Sequence, residues 1–138
     1  MRGLLEAIKA ELSGVFTGLR DSDIYYLPDA NLLPEGCRLP CIGIKDGKTQ
    51  ISELMGDALE MIYPVEVYYF DKLKPGDDSI LDFIDQGDEI LDTLKKNYLS
   101  GYVREVSPIS ATPINLMYTR TGLILRKGLF FEYEILEE

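Results

Sequence analysis

Apolar positions near the start of this 138-residue chain recur at steps of three and four: Leu4, Leu5, Ile8, Leu12, Val15, Phe16 and Leu19, with Lys9 and Glu11 off the stripe. That spacing predicts an amphipathic helix over about residues 3–18. Gly14 weakens it by about 1 kcal/mol relative to alanine, and Gly18 is placed to end it. From Arg20 to Pro40 the period is lost, and Pro28, Pro34, Gly36 and Pro40 exclude a long regular element. Ile24, Tyr25, Tyr26, Leu27, Leu32 and Leu33 keep the segment apolar all the same. Residues 20–40 therefore read as an ordered arm, lying over the chain's own core or against a neighbour.

Cys41-Ile42-Gly43-Ile44-Lys45 reads as a short strand, and Asp46-Gly47 is a hairpin-type turn signal. Lys48 to Tyr63 fits no clean period, so irregular structure, or a short strand near either end, is expected there. Pro64 to Phe70 is the strongest strand, dominated by β-branched and aromatic residues. Val65, Val67 and Tyr69 share one face; Glu66, Tyr68 and Phe70 share the other. Both faces are partly apolar, so both are expected to be covered. Helices suit one face, and a neighbouring subunit is the candidate for the other.

Lys74-Pro75-Gly76 breaks this strand. Asp77, Asp78 and Ser79 then predict a helix start with a side-chain cap and acids at the positive dipole end. Ile80, Ile84, Gly87, Leu91, Leu94 and Tyr98 form its apolar stripe. Lys95 and Lys96 suit its negative end, and Gly101 helps to stop it. Tyr102 to Thr112 holds strand-like pieces interrupted by Pro108, which favours an edge or a bulge. Pro113 to Gly122 is a connection. Leu123 to Leu136 is a strand, with Leu129, Phe131, Tyr133 and Ile135 alternating with Phe130, Glu132 and Glu134. The predicted class is α+β: one domain over residues 1–138, with an antiparallel sheet packed against two main helices.

Charge and composition narrow the function. The formal net charge is −10, which opposes binding to nucleic acid through phosphate neutralisation and disfavours an anionic membrane surface. No apolar run approaches the roughly 18 residues of a membrane span. Glu6, Lys9 and Glu11 interrupt any signal-peptide-like stretch, so a cytoplasmic origin is expected. There is no histidine, which removes Ser-His and Cys-His nucleophile pairs and the imidazole base. Cys37 and Cys41 lack the further ligands that a zinc site needs and read as ordinary reduced thiols. Phosphate-binding and hydrolase glycine motifs are missing from the sequence. No catalytic, cofactor or metal residues are assigned, and the chain is not expected to be an enzyme.

Two sets of residues stand out as candidate surfaces. Asp78, Asp82, Asp85, Glu89 and Asp92 recur at steps of three and four on the helix side opposite the apolar stripe. Like charges so placed cost an isolated helix roughly 0.2–0.5 kcal/mol per pair. They form a solvated face, a lining past which DNA moves without sticking, or an imitation of a phosphate backbone. A metal role is poor, because a straight helix spreads these oxygens rather than converging them. The Asp21-Ser22-Asp23 triplet is equally weak as a cation site. The second set is Tyr25, Tyr26, Leu32, Leu33, Tyr68 and Phe70, an aromatic and apolar group suited to a subunit interface or to ordinary sheet packing.

The layout resembles the tail terminator, or tail-completion, proteins of long-tailed phages and prophages, the group that includes the lambda tail terminator. The matching features are the opening helix from Leu4 to Leu19 and the Leu27-Pro28 and Leu39-Pro40 elements of the loop. The strand Val65 to Phe70 then leads through Lys72 to Gly76 into a helix ending Ile90-Leu91-Asp92-Thr93-Leu94. Asn97 to Val103 follows, and a last strand carries Arg126-Lys127 and Phe131-Glu132-Tyr133-Glu134. The resemblance is one of layout and covers most of the chain, leaving Lys48–Tyr63 and Pro113–Gly122 unaligned. It implies a virion protein made in the host cytoplasm: a homo-hexameric ring that caps the tail tube and joins it to the head. The implied partners are further copies of itself, the major tail tube protein and a head-tail connector protein, with DNA passing through and no cofactor. Another small neck or connector protein, an acidic DNA-mimic inhibitor of a DNA-binding protein, and a carboxylate-based enzyme are the competing expectations.

Overall fold

The computed structural model describes residues 2–56, 58–120 and 122–137. Helix α1 (Arg2–Leu12) leads through a 3-10 turn (Asp21–Asp23) to β1 (Ile24–Tyr26). Then come β2 (Cys41–Asp46), β3 (Gln50–Glu53), β4 (Leu59–Lys72), α2 (Asp77–Leu94), β5 (Glu105–Ala111), β6 (Asn115–Thr119) and β7 (Gly122–Glu137). The fold is α+β, two helices with a seven-stranded, mostly antiparallel sheet in the order β1-β2-β4-β7-β5. The short β1–β2 pair is parallel. Strands β4 and β7 pair from Leu59 opposite Glu137 to Lys72 opposite Ile124. Each is long enough to hold two shorter strands in series: β2 and β3 along β4, β5 and β6 along β7.

This arrangement corrects two local expectations. Asp46-Gly47 does not close a hairpin between β2 and β3; both strands pair with β4, and the Gly47 N–H donates to the Pro64 carbonyl at 2.8 Å. The strand expected at Pro64–Phe70 begins earlier, at Leu59, and runs through its proline. Pro64 is tolerated because it faces the gap where β2 ends, opposite Val65, and β3 begins, opposite Ile62. Its missing N–H therefore removes no ladder bond there.

Alternation along β4 divides the interior into two layers. Met61, Tyr63, Val65, Val67 and Tyr69 point to the face that carries both helices. Leu4, Ile8 and Leu12 of α1 and Phe83, Ile90 and Leu94 of α2 cover that face. Tyr68 and Phe70 point to the opposite face, where the arm lies.

Both helices differ from expectation at their ends. Helix α1 stops at Leu12 rather than near residue 18, because Gly14 (φ +68°) and Gly18 (φ +90°) turn the chain through left-handed conformations. Phe16 and Leu19 are still buried. At the start of α2, Gly76 is the cap residue and no side chain caps the helix. Its buried line is Phe83, Gly87, Ile90 and Leu94, with Ile80, Ile84 and Leu91 at the flanks and Tyr98 beyond the helix and partly exposed. The line is offset because the Phe83 ring stacks on Tyr69 (centroids 4.4 Å apart), whose hydroxyl donates to the Phe83 carbonyl at 2.9 Å. After Leu94 the chain turns on Asn97, whose side-chain oxygen accepts from the Leu99 N–H at 2.9 Å.

Gly87 lets α2 sit this close to the sheet. A Cβ there would lie 2.2 Å from the Tyr69 hydroxyl and 2.8 Å from its ring carbon Cζ. Alanine in a helix normally gains up to about 1 kcal/mol over glycine. Gly87→Ala is expected to reverse that sign and destabilise by about 1–3 kcal/mol, because Tyr69 is held on two sides. Thermal unfolding checks this; a stabilised variant would show that the helix stands farther from the sheet.

The entry to the arm is tied by one buried acid. Asp23 is fully buried and accepts from the Arg20 backbone N–H (3.1 Å), Nε (3.1 Å) and Nη2 (2.9 Å). The Arg20 side-chain hydrogen bonds hold its carboxyl below the usual carboxylate range against the opposing effect of burial. A depressed folded pKa gives stability that is full above the unfolded value near 3.8 and fades as pH falls through the folded value. Asp23→Ala is expected to cost about 1–3 kcal/mol at pH 7 and less below pH 4. Denaturant unfolding at the two pH values reads the difference.

Candidate assembly surfaces

The arm supplies the second layer of the core. Leu27 lies over Gly43, where a Cβ would meet its Cδ1 at 2.1 Å, so only a glycine lets the arm down onto β2. Ala30, Leu33 and Leu39 continue the contact with Tyr68, Phe70 and Ile124. Arg126 from β7 reaches across: its Nη1 donates to the Ala30 carbonyl at 3.1 Å and to the Asn31 side-chain oxygen, and its guanidinium lies 5.8 Å from the Tyr68 ring centre. The Tyr68 hydroxyl donates to Glu66 at 2.5 Å, and burial together with that carboxylate pushes its pKa up.

This geometry divides the six residues expected at a subunit interface. Tyr68 and Phe70 are buried under the chain's own arm, so the second face of β4 needs no neighbour to cover it. Tyr25 and Leu33 are half-buried in the same layer. Tyr26 and Leu32 remain 45% and 59% exposed, on different parts of the surface. Tyr26 packs near Lys9, 5.3 Å from its ring centre, whereas Leu32 stands on the arm above β6. Between the arm and β6 runs a groove of about 820 Å³, lined by Leu32, Leu33, Leu39, Met117, Tyr118 and Ile124 among others.

The five acidic residues of the predicted stripe all lie exposed on α2. Asp77 and Asp88 join them, and no lysine or arginine occurs within the helix. Lys95 pairs with Asp92 at 2.9 Å just past its end. A second acidic area escaped the linear reading. Glu60, Glu66, Glu132 and Glu134 project from the arm-side face of β4 and β7, and Glu105 of β5 sits directly opposite Glu134. Their strand alternation was visible, but the cross-strand pairing that gathers them was not. Arg104 approaches Glu134 at 3.7 Å, and Lys45 approaches Glu66 at 3.4 Å.

The sheet is open at both sides. Among the described residues, β3 pairs only with β4, and β5 and β6 pair only with β7. Every residue of β3 is exposed. Pro108 and the register shift between Pro108 and Ser110 blunt the β5 edge. Strand β6 has no such device, and it presents Leu116 and Tyr118 to solvent.

Among the described residues no group of three or more acids, cysteines or histidines is placed to hold a metal ion. Asp21 accepts from the Ser13 hydroxyl, and Asp23 is taken by Arg20. Both cysteines are free thiols, and burial, reinforced by nearby Cys37, pushes the Cys41 thiol up. No described helix is long and apolar enough to cross a membrane.

No protein-family model and no curated protein sequence matches the chain. Among solved structures, the fold is similar to that of a chain in the virion of a native gene transfer agent particle. The TM-score is 0.57 at 12% identity, over 97% of this chain and 95% of that one.

Proposed function

We propose that this chain is a structural protein of a phage or phage-like virion, and within that class a subunit of the ring that caps the tail tube and joins it to the head. The observation that carries the proposal is the pair of different open edges on one sheet, β3 on one side and β5 with β6 on the other. A surface that differs at its two ends associates head to tail, and closes into a ring when the rotation allows. The fold shared end to end with a virion chain supports the broader class. The layout resemblance supports the terminator role and sixfold closure.

In this reading the chain performs no catalysis. The α2 acids face the lumen, where negative charge keeps DNA from sticking as it passes. The partners are further copies, the tail tube protein and a head-tail connector protein. A direct test is co-sedimentation with assembled tail tubes. Binding at tube ends is expected. Failure to bind tubes, together with salt-sensitive capture of a basic DNA-binding protein, would favour the inhibitor reading.

A further inference from the structure

The arm is held unevenly along its length. Its entry is fixed by the Asp23–Arg20 contacts and by Leu27 lying over Gly43, and its middle by the reach of Arg126 to Ala30 and Asn31. Its return, from Pro34 to Pro40, has less. Leu39 packs into the arm-side layer. Glu35 meets Arg120 at 2.7 Å with both side chains at least 80% exposed, a pairing that contributes little. At this end stand the chain's two cysteines. Cys41 opens β2 opposite Phe70 and is fully buried. Cys37 is half-buried, follows a turn closed by its own N–H on the Pro34 carbonyl (3.3 Å), and lines the open groove. The two cysteine side chains lie within hydrogen-bonding reach of each other. The Tyr25 hydroxyl, which accepts from the Arg38 backbone N–H, stands near both.

We propose that Cys37 and Cys41 are a disulfide site, closed by exchange with a small-molecule disulfide, and that the bond straps the return of the arm onto β2. Sulfurs already in contact can bond with little backbone movement. The order of events follows from exposure. The Cys37 thiolate, reached through the groove, attacks one sulfur of glutathione disulfide. A mixed disulfide forms on Cys37, the S–S bond of the oxidant breaks, and one glutathione leaves as a thiolate and takes a proton. The Cys41 sulfur then attacks the Cys37 sulfur, and its proton passes to the second departing glutathione. Two protein thiols are oxidised, and one glutathione disulfide is reduced to two glutathiones. Cys41 needs contact with Cys37 alone and never with the oxidant. Burial holds its proton on, so the second step is the slow one. Both thiols are expected to be reduced when the chain is made and to close after the particle leaves the reducing cytoplasm. That occasion rests on the virion reading, whereas the chemistry rests on the chain alone.

The wild-type chain, incubated with glutathione disulfide, then denatured with its remaining thiols blocked and cut by trypsin, tests the pairing. Cleavage after Arg20, Arg38 and Lys45 puts Cys37 on the peptide 21–38 and Cys41 on the peptide 39–45. The two peptides are expected to stay joined, lighter by two hydrogens than their sum and separable by dithiothreitol. On the folded chain, tryptic cleavage at Arg38 is expected to slow at least about tenfold on oxidation, because the closed loop suppresses local opening. Cys37→Ala, a change at a half-buried position, should gain no such protection. Peptides that come apart, with glutathione left on Cys37 or with both thiols blocked, would overturn the pairing and leave the virion reading untouched. A joined pair with cleavage at Arg38 unchanged would overturn the strap.

Discussion

Phe70→Ala is expected to destabilise the isolated chain by about 3–5 kcal/mol, the usual cost of emptying a phenylalanine site in a packed core. That corresponds to a melting temperature lower by about 10–20 °C. Phe70 is 0% exposed between the sheet and the arm, in contact with the layer that holds Leu27, Leu33, Leu39 and Ile124. Its loss removes the floor on which the arm lies. Proteolysis within residues 27–40 should therefore accelerate in the variant. Tyr118→Ala, on the exposed rim, serves as the control and should change stability by less than about 0.5 kcal/mol. Had a neighbouring subunit covered this face, Phe70→Ala would weaken assembly and spare the monomer. An unchanged monomer melting temperature would restore that view.

The second large effect is electrostatic. Changing Asp82, Asp85, Glu89 and Asp92 together to lysine should leave the fold within about 1 kcal/mol of wild type. All four are exposed on α2, only Asp92 has an ion pair, and lysine is a better helix former than aspartate. Asp78 is best kept, since an acid in the first turn complements the helix dipole. The wild-type protein should show no retention on DNA. The variant should bind duplex DNA non-specifically, with Kd of about 10⁻⁴–10⁻⁶ M at physiological salt. Each lysine that meets a phosphate should steepen the salt dependence by about 0.9 in the log–log slope. On the proposed ring role, particles completed with the variant should join heads to tails yet release DNA poorly. The matched change at Glu60, Glu132 and Glu134 distinguishes the two acidic areas: if that variant stalls DNA and the α2 variant does not, the sheet face lines the passage.

Much of this architecture was legible in the linear pattern because short-range periodicity carried it. Leu4, Ile8 and Leu12 announced α1, and alternation announced the two faces of β4 from Val65 to Phe70. The acids of α2 were predicted as a solvent-facing stripe, and they are one. What could not be read was set by tertiary pairing. Nothing local shows that Pro64 faces the gap between two strands, or that Asp46-Gly47 joins strands lying in series. The stacking of Phe83 on Tyr69, which sets the rotation of α2, joins residues fourteen apart across a turn. The arm was recognised by its excess of apolar residues, but its partner was not. Tyr68 and Phe70 look available in the linear pattern because nothing local shows that Leu27 over Gly43 and the reach of Arg126 to Ala30 bring the arm down onto them. The exposed tip at Met55 lay in a segment without a period, so no pattern pointed to it.

The proposed function requires the chain to associate head to tail with copies of itself and close. Light-scattering mass measured across a concentration series, with and without tail tubes, tests it most directly. A single closed species of about six copies is expected to appear as concentration rises or on tube ends, with no larger polymers beyond it. A mass that stays at 15.6 kDa throughout, free and in the presence of tubes, would contradict it.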